Sequence, residues 1–192
     1  MNIREFFTKI LAPLFAPLAM RDEAPAAPAF ANVESMIPTL PPTAPVTLAD
    51  AVARKAAYLI KEFEGCKLTA YQDSGGVWTI GYGHTHGVTA GQTITQEQAN
   101  AFFSADASPL IVTALQYFPQ ASEYELAAWV SFAYNCGHTV LDWAKQGICV
   151  PTPGGFLVHG SAYGQVDVQG HLLPALQIRR QKESMLIRLS RA

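Results

Sequence analysis

Glu64, Asp73 and Thr79 stand nine and six residues apart in the stretch EGCKLTAYQDSGGVWTIGYGHTHG, Glu64 to Gly87. Cleaving a glycosidic bond takes a proton donor for the leaving oxygen and a second, ionised carboxylate on the sugar. A glutamic acid at the end of an apolar helix suits the donor, because partial burial disfavours the charged form. Asp73 precedes Ser74-Gly75-Gly76, a turn whose amides and water keep a carboxylate ionised. Thr79 offers a hydroxyl that can hold a water. Taken singly, each residue has an ordinary reading: a solvated helix end, turn chemistry and a strand former. The combination, at this spacing, carries the inference.

Such a site needs a helix that stops at Glu64 and a hairpin that carries Asp73 in its turn, and both are legible. Thr47-x-x-Asp50 is a capping box with Asp in place of Glu or Gln. Leu48, Val52, Ala56, Leu59 and Phe63 then form one apolar face, and Gly65 is a natural helix stop. Leu68–Tyr71 and Val77–Tyr82 flank the Asp73–Gly76 turn and read as a hairpin. Thr95-x-x-Gln98 and Ser122-x-x-Glu125 are further capping boxes, opening helices near 96–105 and 123–135 that end before Gly137. Ser108-Pro109 reads as a cap followed by proline at the first helical position, opening one more helix. Residues 138–172 are rich in Gly and Pro and read as loop or strand. A last helix is expected from Pro174 to Leu189.

The 192 residues are 49% apolar and 15% charged, which suffices for one folded core. A net charge of −2 speaks against a general nucleic-acid or anionic-membrane binder. From Arg179 onward five basic residues face one acid, Glu183; that helix reads as either a solvated face or a face turned toward an acidic polymer. Cys66, Cys136 and Cys149 form no disulfide framework, though one bridge plus one free thiol stays open. Three parts follow. Residues 1–22 carry a helical apolar stripe (Ile3, Phe7, Ile10, Leu14, Leu18) interrupted by Pro13 and Pro17. This segment reads as a secretion signal, as an amphipathic peptide docking on a membrane or a partner protein, or as an apolar tail. Residues 23–46 are a Pro/Ala-rich, semi-stiff linker, and residues 47–192 are the folded domain.

The string Glu64-x8-Asp73-x5-Thr79 followed by Ile80-Gly-Tyr-Gly-His84 resembles the signature of the phage-type lysozymes, the endolysins that cut bacterial peptidoglycan. The resemblance continues through Ile94–Asp106, Ser131–Gly137 and Leu172–Glu183, and so covers most of residues 48–190. It implies an α+β lysozyme-like fold, with a small β-hairpin lobe, a helical lobe and a cleft between them. It implies Glu64 as general acid, Asp73 as second carboxylate and Thr79 as its water-positioning partner, with inversion at the sugar. Thr85, Tyr134 and Asn135 match cleft-lining positions, and His84 is read as structural, tied to a carboxylate. The implied partner is peptidoglycan, reached in the periplasm or cell wall at phage lysis or entry, with no cofactor and no metal. Residues 1–22 would add a membrane or virion partner. One departure is visible: the family has two helices between the Asn-Cys-Gly helix end and the closing basic helix, where residues 138–172 read as loop or strand.

Rival readings remain. A non-catalytic virion or wall-binding module could share the fold. A zinc hydrolase would draw on His84, His86, Cys136, His138, Cys149 and His159, which lack any tight ligand spacing. A thiol peptidase would pair Cys149 with His159.

Overall fold

The structure, a computed structural model, describes residues 46–73, 75–166 and 171–191. The apolar segment 1–22 and the linker up to Pro45 lie outside the described residues. From Val46 onward the chain packs as one unit.

Helix α1, Leu48–Glu64, begins at Thr47 with both halves of the capping box made. The Asp50 amide donates to Thr47 Oγ1 at 3.1 Å, and the Thr47 amide donates to Asp50 Oδ2 at 3.0 Å. Val52, Ala56, Leu59 and Ile60 are buried, while Leu48 at the helix entrance is exposed. Each large buried aliphatic contributes about 1.5–3 kcal/mol. Gly65, at φ 63°, ends the helix in a conformation that a side chain would strain. Strands β1, Lys67–Gln72, and β2, Trp78–Gly81, form the antiparallel hairpin, with Tyr71 opposite Thr79.

Helix α2 runs unbroken from Gln96 to Tyr117, so the separate helix expected to open at Ser108-Pro109 does not exist. Ser108 Oγ turns back and donates to the Ser104 carbonyl at 2.6 Å rather than capping forward. The buried stripe Ala99, Phe103, Ala107, Ile111 and Ala114 crosses Pro109 without a shift of face. Burial of that stripe outweighs the one backbone bond that proline removes.

Helix α3, Glu123–Cys136, is the central element, buried continuously from Glu125 to Ala133. It packs against α1, α2, the short helix α4 (Thr139–Lys145) and the closing helix α5 (Pro174–Ser190). Ser122 caps it, but Glu125 does not complete the box: its carboxylate accepts from Arg191 Nε at 2.9 Å and Nη2 at 2.6 Å instead. The interval expected as loop or strand holds α4 and a three-stranded antiparallel sheet. The sheet comprises β3 (Cys149–Thr152), β4 (Gly155–Val158) and β5 (Ser161–Tyr163), in the order β3-β4-β5. The helix escaped the reading because its seven residues are too few for a periodicity to show. Phe156 of β4 stacks on Phe132 at 4.1 Å and lies 5.3 Å from Trp129, so the sheet closes the core that α3 begins.

Candidate active site

Glu64 occupies the last turn of α1, where α5 passes close by. Its Oε1 accepts a hydrogen bond from Arg179 Nη1 at 2.5 Å. The carboxylate is 22% exposed and the arginine only 2%. Arg179 also donates from Nε to Glu183 Oε1 at 3.1 Å and from Nη2 to the Ser131 carbonyl at 3.1 Å. Its guanidinium lies 5.1 Å over the Phe63 ring. The apolar packing expected beside Glu64 is only part of its setting: Phe63 is present, but it backs a buried cation. The reading of the basic helix is corrected for Arg179 and Arg180, while Lys182, Arg188 and Arg191 are not buried. Arg179 and Arg180 are buried, neither solvated nor turned toward an external polymer. Glu183, also fully buried, makes that burial affordable. Burial works against the Arg179 charge, but Glu183 and Glu64 outweigh it and hold the guanidinium above its usual range.

The hairpin contributes the other two residues. Asp73 Oδ1 accepts from the Gly75 and Val77 amides, both at 2.9 Å. These bonds fix the plane of the carboxylate. Oδ2 has no protein donor among the described residues. Thr79 is buried and donates its hydroxyl to the Val77 carbonyl at 3.0 Å, which leaves its oxygen lone pairs free to accept. Thr79 and Tyr71 are cross-strand partners, so their side chains share one face of the hairpin. The Tyr71 hydroxyl is pushed up by burial and then by the charges of Glu64 and Asp73. One tyrosine thus lies within the fields of both carboxylates and beside the threonine.

The segment after β2 closes the arrangement. Gly83, at φ 99°, passes between two groups: a Cβ there would meet Tyr134 Cε1 at 3.9 Å and Glu64 Oε2 at 4.0 Å. Tyr134 donates its hydroxyl to the Tyr82 carbonyl at 2.9 Å. Its phenol is driven well above its usual range by burial and by the Asp106 and Glu64 charges, so it stays neutral. Thr85 and Tyr134 line one open cavity of about 200 Å³, together with His86, Asp106 and Leu110. His84 bonds Asp106 Oδ2 through Nδ1 at 2.8 Å and stacks on Phe102 at 4.4 Å, the structural tie read from the sequence. Asn135 is half-buried at the end of α3; among the described residues its only side-chain hydrogen bond is a 3.6 Å contact from the Cys136 thiol, and no hydrogen bond ties it to the carboxylates.

Four residues of this arrangement went unread in the sequence: Tyr71, Ser131, Arg179 and Glu183. A signal existed for two of them. An Arg and a Glu one turn apart in a helix that must also close a core can pair inward as readily as outward. Neither the metal nor the thiol reading gains support among the described residues. Among the described residues no three His, Cys, Asp or Glu side chains gather as a metal group. All three cysteines are free thiols. Burial pushes the Cys149 thiol up to about 12, the reverse of what a nucleophile needs.

The chain resembles known proteins in sequence and in fold. The Phage lysozyme family profile matches residues 61–183. An endolysin of Acyrthosiphon pisum secondary endosymbiont phage 1 is 36% identical over 142 residues, covering 70% of this chain and 96% of the relative. The SAR-endolysin of Escherichia phage P1 is 30% identical over 151 residues, covering 67% of this chain and 76% of the relative. Among solved structures, the active form of the P1 phage endolysin Lyz superposes with a TM-score of 0.53 at 27% identity, covering 70% of this chain and 83% of that one. The muramidase domain of SpmX from Asticaccaulis excentricus gives 0.52 at 26% identity, covering 71% and 96%. From its carboxylate-bearing helix end to its closing arginine helix, the chain belongs to the phage lysozyme family.

Proposed function

We propose that this lysozyme hydrolyses the β-1,4 bond between N-acetylmuramic acid and N-acetylglucosamine in peptidoglycan, with Glu64 protonating the leaving oxygen. Asp73 and Thr79 hold the attacking water on the opposite face of the sugar, which gives inversion. Thr85, Tyr134 and Asn135 line the glycan path. The observation that carries this reading is the convergence on Tyr71 of Glu64 from a helix end, Asp73 from a turn and Thr79 from a strand. These are the three groups that bond cleavage with water requires, brought from three different elements.

The chain divides in this proposal into a delivery segment (residues 1–22), a linker (23–46) and the catalytic domain (47–192). The delivery segment takes the enzyme to a membrane, through export, or to a virion partner, and the substrate is the cell wall.

Glu64→Gln keeps the shape of the side chain but has no acid proton to give. Reducing-sugar release from purified peptidoglycan is expected to fall by at least ~10²-fold, the lower range for lost general acid catalysis, with an unchanged circular dichroism spectrum. Near-full activity in Glu64→Gln would remove the acid role of Glu64, whereas no sugar release by the wild-type chain would favour the reading as a non-catalytic wall-binding module.

A further inference from the structure

Four charged groups run inward from Glu64 as one connected chain. Glu64 Oε1 accepts from Arg179 Nη1, and Arg179 Nε donates to Glu183 Oε1. The same Glu183 oxygen accepts from Ser131 Oγ at 2.6 Å and from Arg180 Nη2 at 3.2 Å. Glu183 Oε2 faces Arg180 Nε at 3.0 Å, an ion pair whose angle falls short of a hydrogen bond. Beyond Glu64, no member is more than 2% exposed. With all four ionised the chain is neutral: two carboxylates, two guanidiniums. Remove Glu183 and two adjacent buried cations are left with Glu64 as their remaining anion.

We propose that Glu183 is a positioning residue for the reaction: by holding Arg179 and Arg180 it aims the guanidinium at Glu64 and limits how much of that positive charge Glu64 faces. This rests on Glu64 being the acid. The reasoning is one of charge balance. A guanidinium shared between two carboxylates attracts each less than one given wholly to a single carboxylate. Glu183 takes the Nε edge of Arg179 and also draws Arg180 onto itself, so Glu64 faces only one edge of one partly neutralised cation. In this low-dielectric setting a single uncompensated charge shifts proton affinity at a neighbour by an amount that activity measurements detect.

The phenols and the thiol around the chain stay uncharged through the working range. Tyr134 and Cys136 face it from α3, and Tyr71 faces it from the hairpin; burial holds all three above their usual values. Asp73 bears on the hairpin side, and Lys182 and Glu62 pair with each other at 2.9 Å on the outer side of the same helices. None of these compensates a change at Glu183.

The test is the pH profile of kcat/KM on purified peptidoglycan, measured with the full chain. Its alkaline limb reports loss of the protonated acid. Glu183→Gln removes a negative charge, favours the carboxylate form of Glu64, and is expected to move that limb about one pH unit toward acid, the lower range for one neighbouring charge. Above the limb, activity then falls on the order of tenfold. Arg180→Gln removes a positive charge and is expected to move the limb toward alkali. The double variant Glu183→Gln/Arg180→Gln restores neutrality and is expected to bring the limb back.

A residue that only props up the fold would lower activity at every pH and leave the limb in place. Should one single variant fail to fold, the other decides alone: its limb moves in the stated direction or the proposal falls. A double variant displaced as far as Glu183→Gln would also overturn it. Glu64→Gln, run alongside, separates the two claims. An active Glu64→Gln sinks the acid itself, whereas an inactive one with an unmoved limb in the single variants sinks only the role of Glu183.

Discussion

In the proposed reaction Asp73 and Thr79 divide the handling of a water between them, and the way each is held favours inversion. Asp73 spends Oδ1 on the Gly75 and Val77 amides, so Oδ2 is the oxygen available to take a water proton. Thr79 spends its hydroxyl proton on the Val77 carbonyl, so its oxygen can only accept from that water. Both groups therefore draw on the water's hydrogens and present its lone pair to the sugar. That suits direct displacement by water better than attack by Asp73 itself. The expected product is the inverted anomer at the cut N-acetylmuramic acid, read by NMR within the first minutes of hydrolysis before mutarotation. A product that appears first as the retained anomer, or a glycosyl adduct on Asp73 detected by mass spectrometry, would show a covalent route instead.

At the scale of elements, the site depends on how tightly α5 lies on the second sheet. Gly155 opens β4 at φ 128°, and a Cβ there would stand 2.6 Å from Gln165 Nε2 and 3.0 Å from Arg180 Cβ. The amide end of Gln165, which donates to the Gly154 carbonyl, can swing aside, but the Cβ of a helical residue cannot. Gly155→Ala is therefore expected to push β4 from α5 and to destabilise the domain by about 1–3 kcal/mol, from backbone strain together with the clash. In a thermal melt this lowers Tm by several degrees. An unchanged melt would mean that the sheet and helix are less closely fitted than this. The capping boxes show the complementary lesson. Thr47 with Asp50 and Thr95 with Gln98 form complete boxes on helices whose starts face water. Glu125 abandons its box because Arg191, arriving from the far end of the chain, offers a charged partner.

For the whole molecule, the unit beginning at Val46 contains its own first cap and all the site residues. The domain is therefore expected to fold and cut purified wall after deletion of residues 1–45, and to lose association with membrane, export route or virion. The check compares reducing-sugar release and membrane or virion partitioning for the full and shortened chains. Loss of cutting by the shortened chain on purified wall would make the N-terminal segment part of the enzyme.

The sequence by itself determined what local chemistry can determine. The Glu64–Asp73–Thr79 spacing, the caps at Thr47, Thr95 and Ser122, the stop at Gly65 and the hairpin all depend on residues close in the chain. Their preferences for turns, caps and apolar faces act before any tertiary contact forms. Where a long-range contact competes with a local preference, the sequence misleads. Ser108-Pro109 has the residues of a helix start, yet burial of Ala107 and Ile111 carries α2 straight through it. Glu125 has the residue type for a capping box, yet Arg191 takes it. Only the tertiary structure decided the setting of Glu64. Its arginine partner lies 115 residues away, in a helix whose basic run reads as surface. Charge on a sequence does not say whether it is solvated. Buried Glu183 settles that for Arg179 and Arg180, because a desolvated cation persists only where an anion is desolvated beside it.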